Sequence, residues 1–104
     1  MKVIAEVTFS PLGTATPSLS KYVTAALAVL TDQSEVKYQL NPMGTVLEGE
    51  RTAIMEVVER MNEAIFAAGA LRVGTSLKID ERRDKPASMD HKVDVVLDGL
   101  KRDA

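Results

Sequence analysis

The chain of 104 residues has no cysteine, no tryptophan and a single histidine. Without thiols there is no disulfide framework and no thiolate metal site, a pattern that fits a reducing compartment. Aromatic residues make up 4% of the chain, too few for the stacking platforms with which strand faces hold single-stranded nucleic acid. A basic excess is absent too: 13 Lys and Arg against 15 Asp and Glu leave a formal charge of -2. Proteins that live on phosphate contacts carry a basic balance or patch, which disfavours nucleic-acid and anionic-membrane partners. No apolar run approaches the ~20 residues of a membrane span. Met1-Lys2-Val3-Ile4-Ala5-Glu6 meets a carboxylate before a signal-type apolar segment forms. The expectation is a cytoplasmic protein with no membrane or nucleic-acid partner.

What is present is ordinary globular material, 45% hydrophobic and 27% charged, sized for one domain over residues 1–104. Val3, Ala5, Val7 and Phe9 alternate with Ile4, Glu6, Thr8 and Ser10, which predicts a half-buried strand stopping at Pro11. Ser10 to Ser18 is rich in turn formers and hydroxyls and reads as a loop, with Thr16 or Ser18 capping a helix over about residues 18–30. That helix has Leu19, Tyr22, Val23, Ala26, Leu27 and Leu30 on one face. Val36, Tyr38 and Leu40 predict a second strand, Asn41-Pro42 a turn, and Gly44 to Glu48 a third strand in a hairpin.

Ile54, Val57, Val58, Met61, Ile65 and Ala68 mark a second helix, and Gly69 stands where a left-handed C-terminal cap is wanted. Leu71 to Ile79 alternates as a fourth strand, with Glu81 to Pro86 as its exit loop. Ser88 then caps a last helix bearing Met89, Val93, Val96, Leu97 and Leu100. This order is that of an α+β, ferredoxin-like βαββαβ sandwich with an extra C-terminal helix, in which two helices cover one face of a four-stranded antiparallel sheet. The other face is expected to stay open. The facing of the third strand stays undecided: with Thr45 and Leu47 on the open face, Glu48 points to the helices unless a bulge at Gly44 or Gly49 re-aims it.

Activities hosted by this architecture meet specific obstacles. A metallochaperone needs paired cysteines in the first loop, and an acylphosphatase-like enzyme needs an arginine there; Ser10 to Ser18 holds no basic residue. His91 is a lone imidazole in the first turn of the last helix, expected to be an exposed residue rather than a base or ligand. Glu48 and Glu50, astride Gly49, suit a solvated turn as well as acid–base work. No catalytic residue and no metal site are expected. Ser10-Pro11-Leu12-Gly13-Thr14 is more suggestive, offering backbone amides and hydroxyls where a strand passes into a helix, although an ordinary loop looks the same.

Three blocks, Ser10 to Thr14, Tyr38 to Glu50 and Thr75 to Pro86, together resemble the small thiamine-binding protein family related to YkoF, in the same order and over nearly the whole chain. The resemblance implies a ferredoxin-like subunit, homo-oligomers (dimer or tetramer) assembled through sheet contacts, and binding of thiamine or its hydroxymethylpyrimidine part without a known reaction. No cofactor beyond that ligand is implied. An aminopyrimidine needs donors and acceptors fixed in one plane, for which Asn41, Thr45, Glu48 and Ser76 are of the right type. The thiazolium cation suits an aromatic face or a carboxylate, here Tyr38, Glu6 or Asp80, and a phosphate ester would look to Arg82, Arg83 or Lys85.

The expected ligand-binding set is therefore Ser10, Tyr38, Asn41, Thr45, Glu48, Ser76 and Lys78. Each has a plain rival: Tyr38 as core or interface, Glu48 and Lys78 as an exposed ion pair. Two other functions stay open, an oligomeric regulatory module sensing a different metabolite and an enzyme using Glu48 as its base.

Overall fold

Val3, Ala5 and Val7 are buried as their alternation predicts, but the strand they define is longer than expected. In the computed structural model, which describes residues 2–103, β1 runs from Lys2 to Leu12, straight through Pro11. Pro11 pairs with Val73 on the neighbouring strand. A proline is tolerated there when its missing N–H is on the side away from that ladder, so it continues the strand rather than ending it. The remaining elements are α1 (Ser20–Thr31), β2 (Lys37–Asn41), β3 (Gly44–Glu50), α2 (Arg51–Ala67), β4 (Arg72–Asp80) and α3 (Met89–Asp103). The sheet has the order β2-β3-β1-β4 with every neighbouring pair antiparallel.

Cross-strand partners share a face, so the register assigns every side chain. Ala5 stands opposite Leu47 and Ile79, and Val7 opposite Thr45 and Leu77; these, with Val3, form the helix face. Thr45 and Leu47 thus point toward the helices and Glu48 away from them, without a bulge. The far face carries Ile4, Glu6, Thr8 and Ser10 on β1, Val46 and Glu48 on β3, Lys37, Gln39 and Asn41 on β2, and Ser76, Lys78 and Asp80 on β4. Tyr22, Ala26 and Leu30 from α1 and Ile54, Val57, Met61 and Ile65 from α2 close the core over the helix face.

Local chemistry explains most boundaries. Gly69 takes φ +116° just beyond α2, as the C-terminal cap requires. The start of α1 differs from expectation: Leu19 is its N-cap and no side chain caps it. Thr16 Oγ1 instead accepts the Ser18 N–H at 3.3 Å, within the preceding loop. The Gln33 amide clamps the exit of α1 onto the sheet, donating to the Leu30 and Val36 carbonyls at 3.0 and 2.8 Å and accepting the Val36 N–H at 2.8 Å.

Helix α3 changes the picture of an open sheet. Ser88 does cap it, accepting the His91 N–H at 3.1 Å. Its first turn then lies on the far face: the Met89 N–H donates to Glu48 Oε1 at 3.0 Å, Lys37 pairs with Asp90 at 2.5 Å, and Lys92 with Asp80 at 2.7 Å. Lys37, Glu48, Ile4 and Asp80 form one row across all four strands. The turn therefore straddles that row, and Ile4 and Met89 are buried there. Of the apolar positions expected on this helix, Met89 alone is buried; Val93, Val96, Leu97 and Leu100 are exposed.

Candidate ligand-binding site

Two strands of unequal reach create a notch in the sheet. β1 pairs with β4 from Ile4 to Leu12 but with β3 only from Lys2 to Val7, because the β2–β3 hairpin turns at Pro42-Met43. From Thr8 onward the hairpin-side edge of β1 has no strand opposite it. Gly44 brings the hairpin tightly against β1 at this point, since a β-carbon there would meet Thr8 Cγ2 at 3.0 Å and the Val7 carbonyl at 3.4 Å.

A chamber of about 440 Å³ occupies the notch, bounded by β1, the hairpin and the first turns of α1. That volume lies within the range of small-molecule sites. Phe9, Leu19, Tyr22, Val23, Leu27 and Leu40 supply most of its apolar wall, and Met43, 87% exposed, stands at its rim. Thr8, Ser10, Asn41, Thr45 and the Tyr22 hydroxyl supply polar atoms, and no charged side chain lines it.

Two of those polar groups are anomalous. Tyr22 and Thr45 are only 8% and 5% exposed, yet among the described residues neither hydroxyl has a hydrogen-bond partner. No side-chain polar atom sealed from solvent lacks a partner among the described residues, so these two hydroxyls keep some solvent contact, on residues that line the chamber. A hydroxyl without a protein partner bonds to solvent, and a guest that displaces that solvent must replace the bond. The Tyr22 ring already carries a cation on its far side of the wall, with Lys21 Nζ 5.5 Å from its centroid.

The residues expected at the site fall at separate places on the sheet. Ser10, Asn41 and Thr45 line the chamber. Tyr38 is on the helix face opposite Leu47, at the β2 edge and outside the chamber lining. Ser76 and Lys78 lie on the far face opposite Thr8 and Glu6. Glu48, also on the far face, is buried and holds the start of α3, where a carboxylate also complements the helix dipole. The expected set thus does not converge on one place: three members share the chamber, and four lie elsewhere.

Sequence reasoning missed Tyr22 and Phe9, and with them the α1 wall. Both were assigned to core faces on periodicity; the available signal was that each is one of only two residues of its kind in the chain, set close to the loop after β1.

Charge gathers away from the chamber. Hydrogen bonding to Lys92 holds Asp80 below the usual carboxylate range, and bonding to Asp90 raises Lys37. Glu81 is lowered by Arg83 and, less, by Arg51. Among the described residues no group of acidic or imidazole side chains could hold a metal ion, and no helix is long and apolar enough to cross a membrane. His91 is exposed on α3.

Known proteins agree with this architecture. YqgV of Bacillus subtilis (strain 168) is 42% identical over 96 residues, which are 89% of this chain and 92% of that protein. A relative from Methanothermobacter thermautotrophicus is 45% identical over 99 residues, covering 94% and 99% of the two chains. The crystal structure of a hypothetical protein from Methanocaldococcus jannaschii superposes with a TM-score of 0.83 at 39% identity, over 91% of this chain and 95% of that one. Residues 5–97 match the family described as thiamine-binding protein, and with them the three walls of the chamber. The chain belongs to the thiamine-binding protein family.

Proposed function

We propose that this protein is a non-catalytic carrier of thiamine or its hydroxymethylpyrimidine part, holding the ligand in the chamber at the β1 notch. The observation that carries the reading is a largely apolar space of ligand size, lined by two mostly buried residues, Tyr22 and Thr45, whose hydroxyls have no protein partner among the described residues. Hydroxyls donate and accept, as an aminopyrimidine edge requires. The pyrimidine is the part suited to the interior, because the walls are uncharged and Lys21 already occupies a cation's place on Tyr22. The cationic thiazolium belongs at the rim, beside the exposed and polarizable Met43 side chain.

Homo-oligomerisation is part of the same proposal. Val93, Val96, Leu97 and Leu100 give α3 an exposed apolar stripe, and β2 and β4 are sheet edges. Both features are commonly covered by a second copy. The exposed stripe of α3 is outside the chamber lining.

Isothermal titration of the full chain with thiamine and with 4-amino-5-hydroxymethyl-2-methylpyrimidine tests the reading. Saturable heat for at least one ligand, reduced in Tyr22→Phe and Thr45→Val, is the expected result. Absence of heat and of any thermal shift at millimolar ligand would refute it. An enzyme using Glu48 as its base is disfavoured by geometry, since Glu48 is outside the chamber lining and engaged with Met89.

A further inference from the structure

Backbone polar groups of a strand point alternately to its two neighbours, so the direction of one residue fixes the rest. Pro11, inside the β1–β4 ladder, has no N–H to give β4 and so belongs to the set directed away from it. Phe9 and Val7, two and four residues earlier, share that direction. Two distances agree: the Val7 carbonyl lies 3.4 Å from a β-carbon placed on Gly44 of β3, and the Ser10 carbonyl 3.9 Å from one placed on Gly74 of β4. Val7 uses its groups on β3, opposite Thr45. Phe9 is the next residue of the set, and β3 pairing has ended. Its N–H and C=O thus stand side by side on the free edge, and Phe9 lines the chamber.

We propose that the main-chain N–H and C=O of Phe9 are the recognition pair for the ligand's aminopyrimidine edge, the ring taking the place of the missing strand. The N–H donates to a ring nitrogen and the adjacent exocyclic amine donates to the C=O, the pairing by which a strand edge takes up an added partner. Tyr22 and Thr45 then serve the remaining polar atoms. This selects heteroaromatic ligands with an amine beside an acceptor nitrogen and rejects those whose amine is replaced by hydrogen or a carbonyl. The inference rests on the chamber being the pyrimidine site.

The test uses the full-length protein, 15N-labelled, titrated with 4-amino-5-hydroxymethyl-2-methylpyrimidine and with the same ring lacking the amine. The expected result is a shift of the Phe9 amide resonance on titration and at least about tenfold weaker binding of the deaminated ring. Equal affinity for the two rings, or a Phe9 amide that stays in place while Tyr22 and Thr45 resonances move, overturns the inference and leaves the chamber reading standing. If no resonance of any chamber residue responds to either ring, both fail together.

Discussion

Replacing Thr45 by valine separates stability from binding. The two side chains have nearly the same shape and both suit a strand, so packing against Leu40 and Val7, its cross-strand neighbours, is kept. Thr45 as a residue is 5% exposed, and its hydroxyl has no protein partner among the described residues but is not sealed from solvent. A sealed, unsatisfied hydroxyl costs about 1–3 kcal/mol, and because this one keeps contact with solvent its cost lies below that range. Thr45→Val should therefore leave the free protein unchanged or more stable by up to about 1 kcal/mol, a rise in Tm of roughly 4–8 °C for a domain of this size. Ligand affinity should move the other way, falling about two- to twelvefold for the loss of one hydrogen bond of about 0.5–1.5 kcal/mol. Scanning calorimetry of the free protein and titration calorimetry with the aminopyrimidine read the two effects. Loss of more than about 1 kcal/mol of stability would mean that the hydroxyl holds the fold together, and an unchanged Kd would mean that it meets no ligand; either result refutes the argument.

Tyr22→Phe should behave alike for the same reason, with a fall in affinity and no fall in Tm. Glu48→Ala leaves the Met89 N–H without its acceptor and should loosen the first turn of α3 by about 0.5–2 kcal/mol, seen as faster amide exchange at residues 89–92, while ligand affinity holds. Gly44→Ala forces the hairpin off Thr8 and Val7 and should cost about 1–3 kcal/mol in thermal unfolding, with weaker binding as the notch widens. The straps of α3 also set a pH window. Asp80 is held below its ordinary 3.8, so its contribution is complete above that value and fades as acid protonates it, and Lys37, raised above 10.5, contributes below that value and fades as base removes its proton. Amide exchange at α3 should be flat through neutral pH and accelerate at both extremes, and high salt should flatten the response.

Much of the fold was legible because the apolar periods were clean. In β4, Leu77 and Ile79 are half-buried on the helix face while Ser76 and Lys78 are exposed on the other, as the alternation required. β3 was undecidable because its polar residues fall on both faces: Thr45 sits on the helix face, beside a chamber rather than within solid core. The same fact hid the site. Periodicity marks Tyr22 as core, and it is core by burial; only its unpartnered hydroxyl distinguishes it, and hydrogen-bond partners at long range are not written in a local pattern. Glu48 shows the opposite failure. Its type suited a ligand, but its partner is a backbone N–H 41 residues away, on a helix whose apolar stripe had promised packing along its length.

The deepest misreading, Pro11 as the end of β1, bears directly on function. Had the strand stopped there as a loop, the residues after Val7 would have had no ladder to hold them straight and no reason to present a regular edge. Pairing with β4 through Leu12 keeps that edge extended for five residues past the last β3 partner. A bare strand edge invites another chain, and proteins blunt such edges with proline, short reach or cover. Here Pro11 removes one donor, α1 covers one side and the hairpin closes the inner end, leaving the N–H and C=O of Phe9 and the Pro11 carbonyl as the free remainder. An edge too short and too enclosed for a second strand still admits a flat ring. Lengthening the hairpin by two residues, so that β3 continues opposite Phe9, should fill the notch: the variant should unfold at a higher temperature than the parent and bind no aminopyrimidine. A lengthened hairpin that retains full affinity would show that the free edge of β1 is not where the ligand rests.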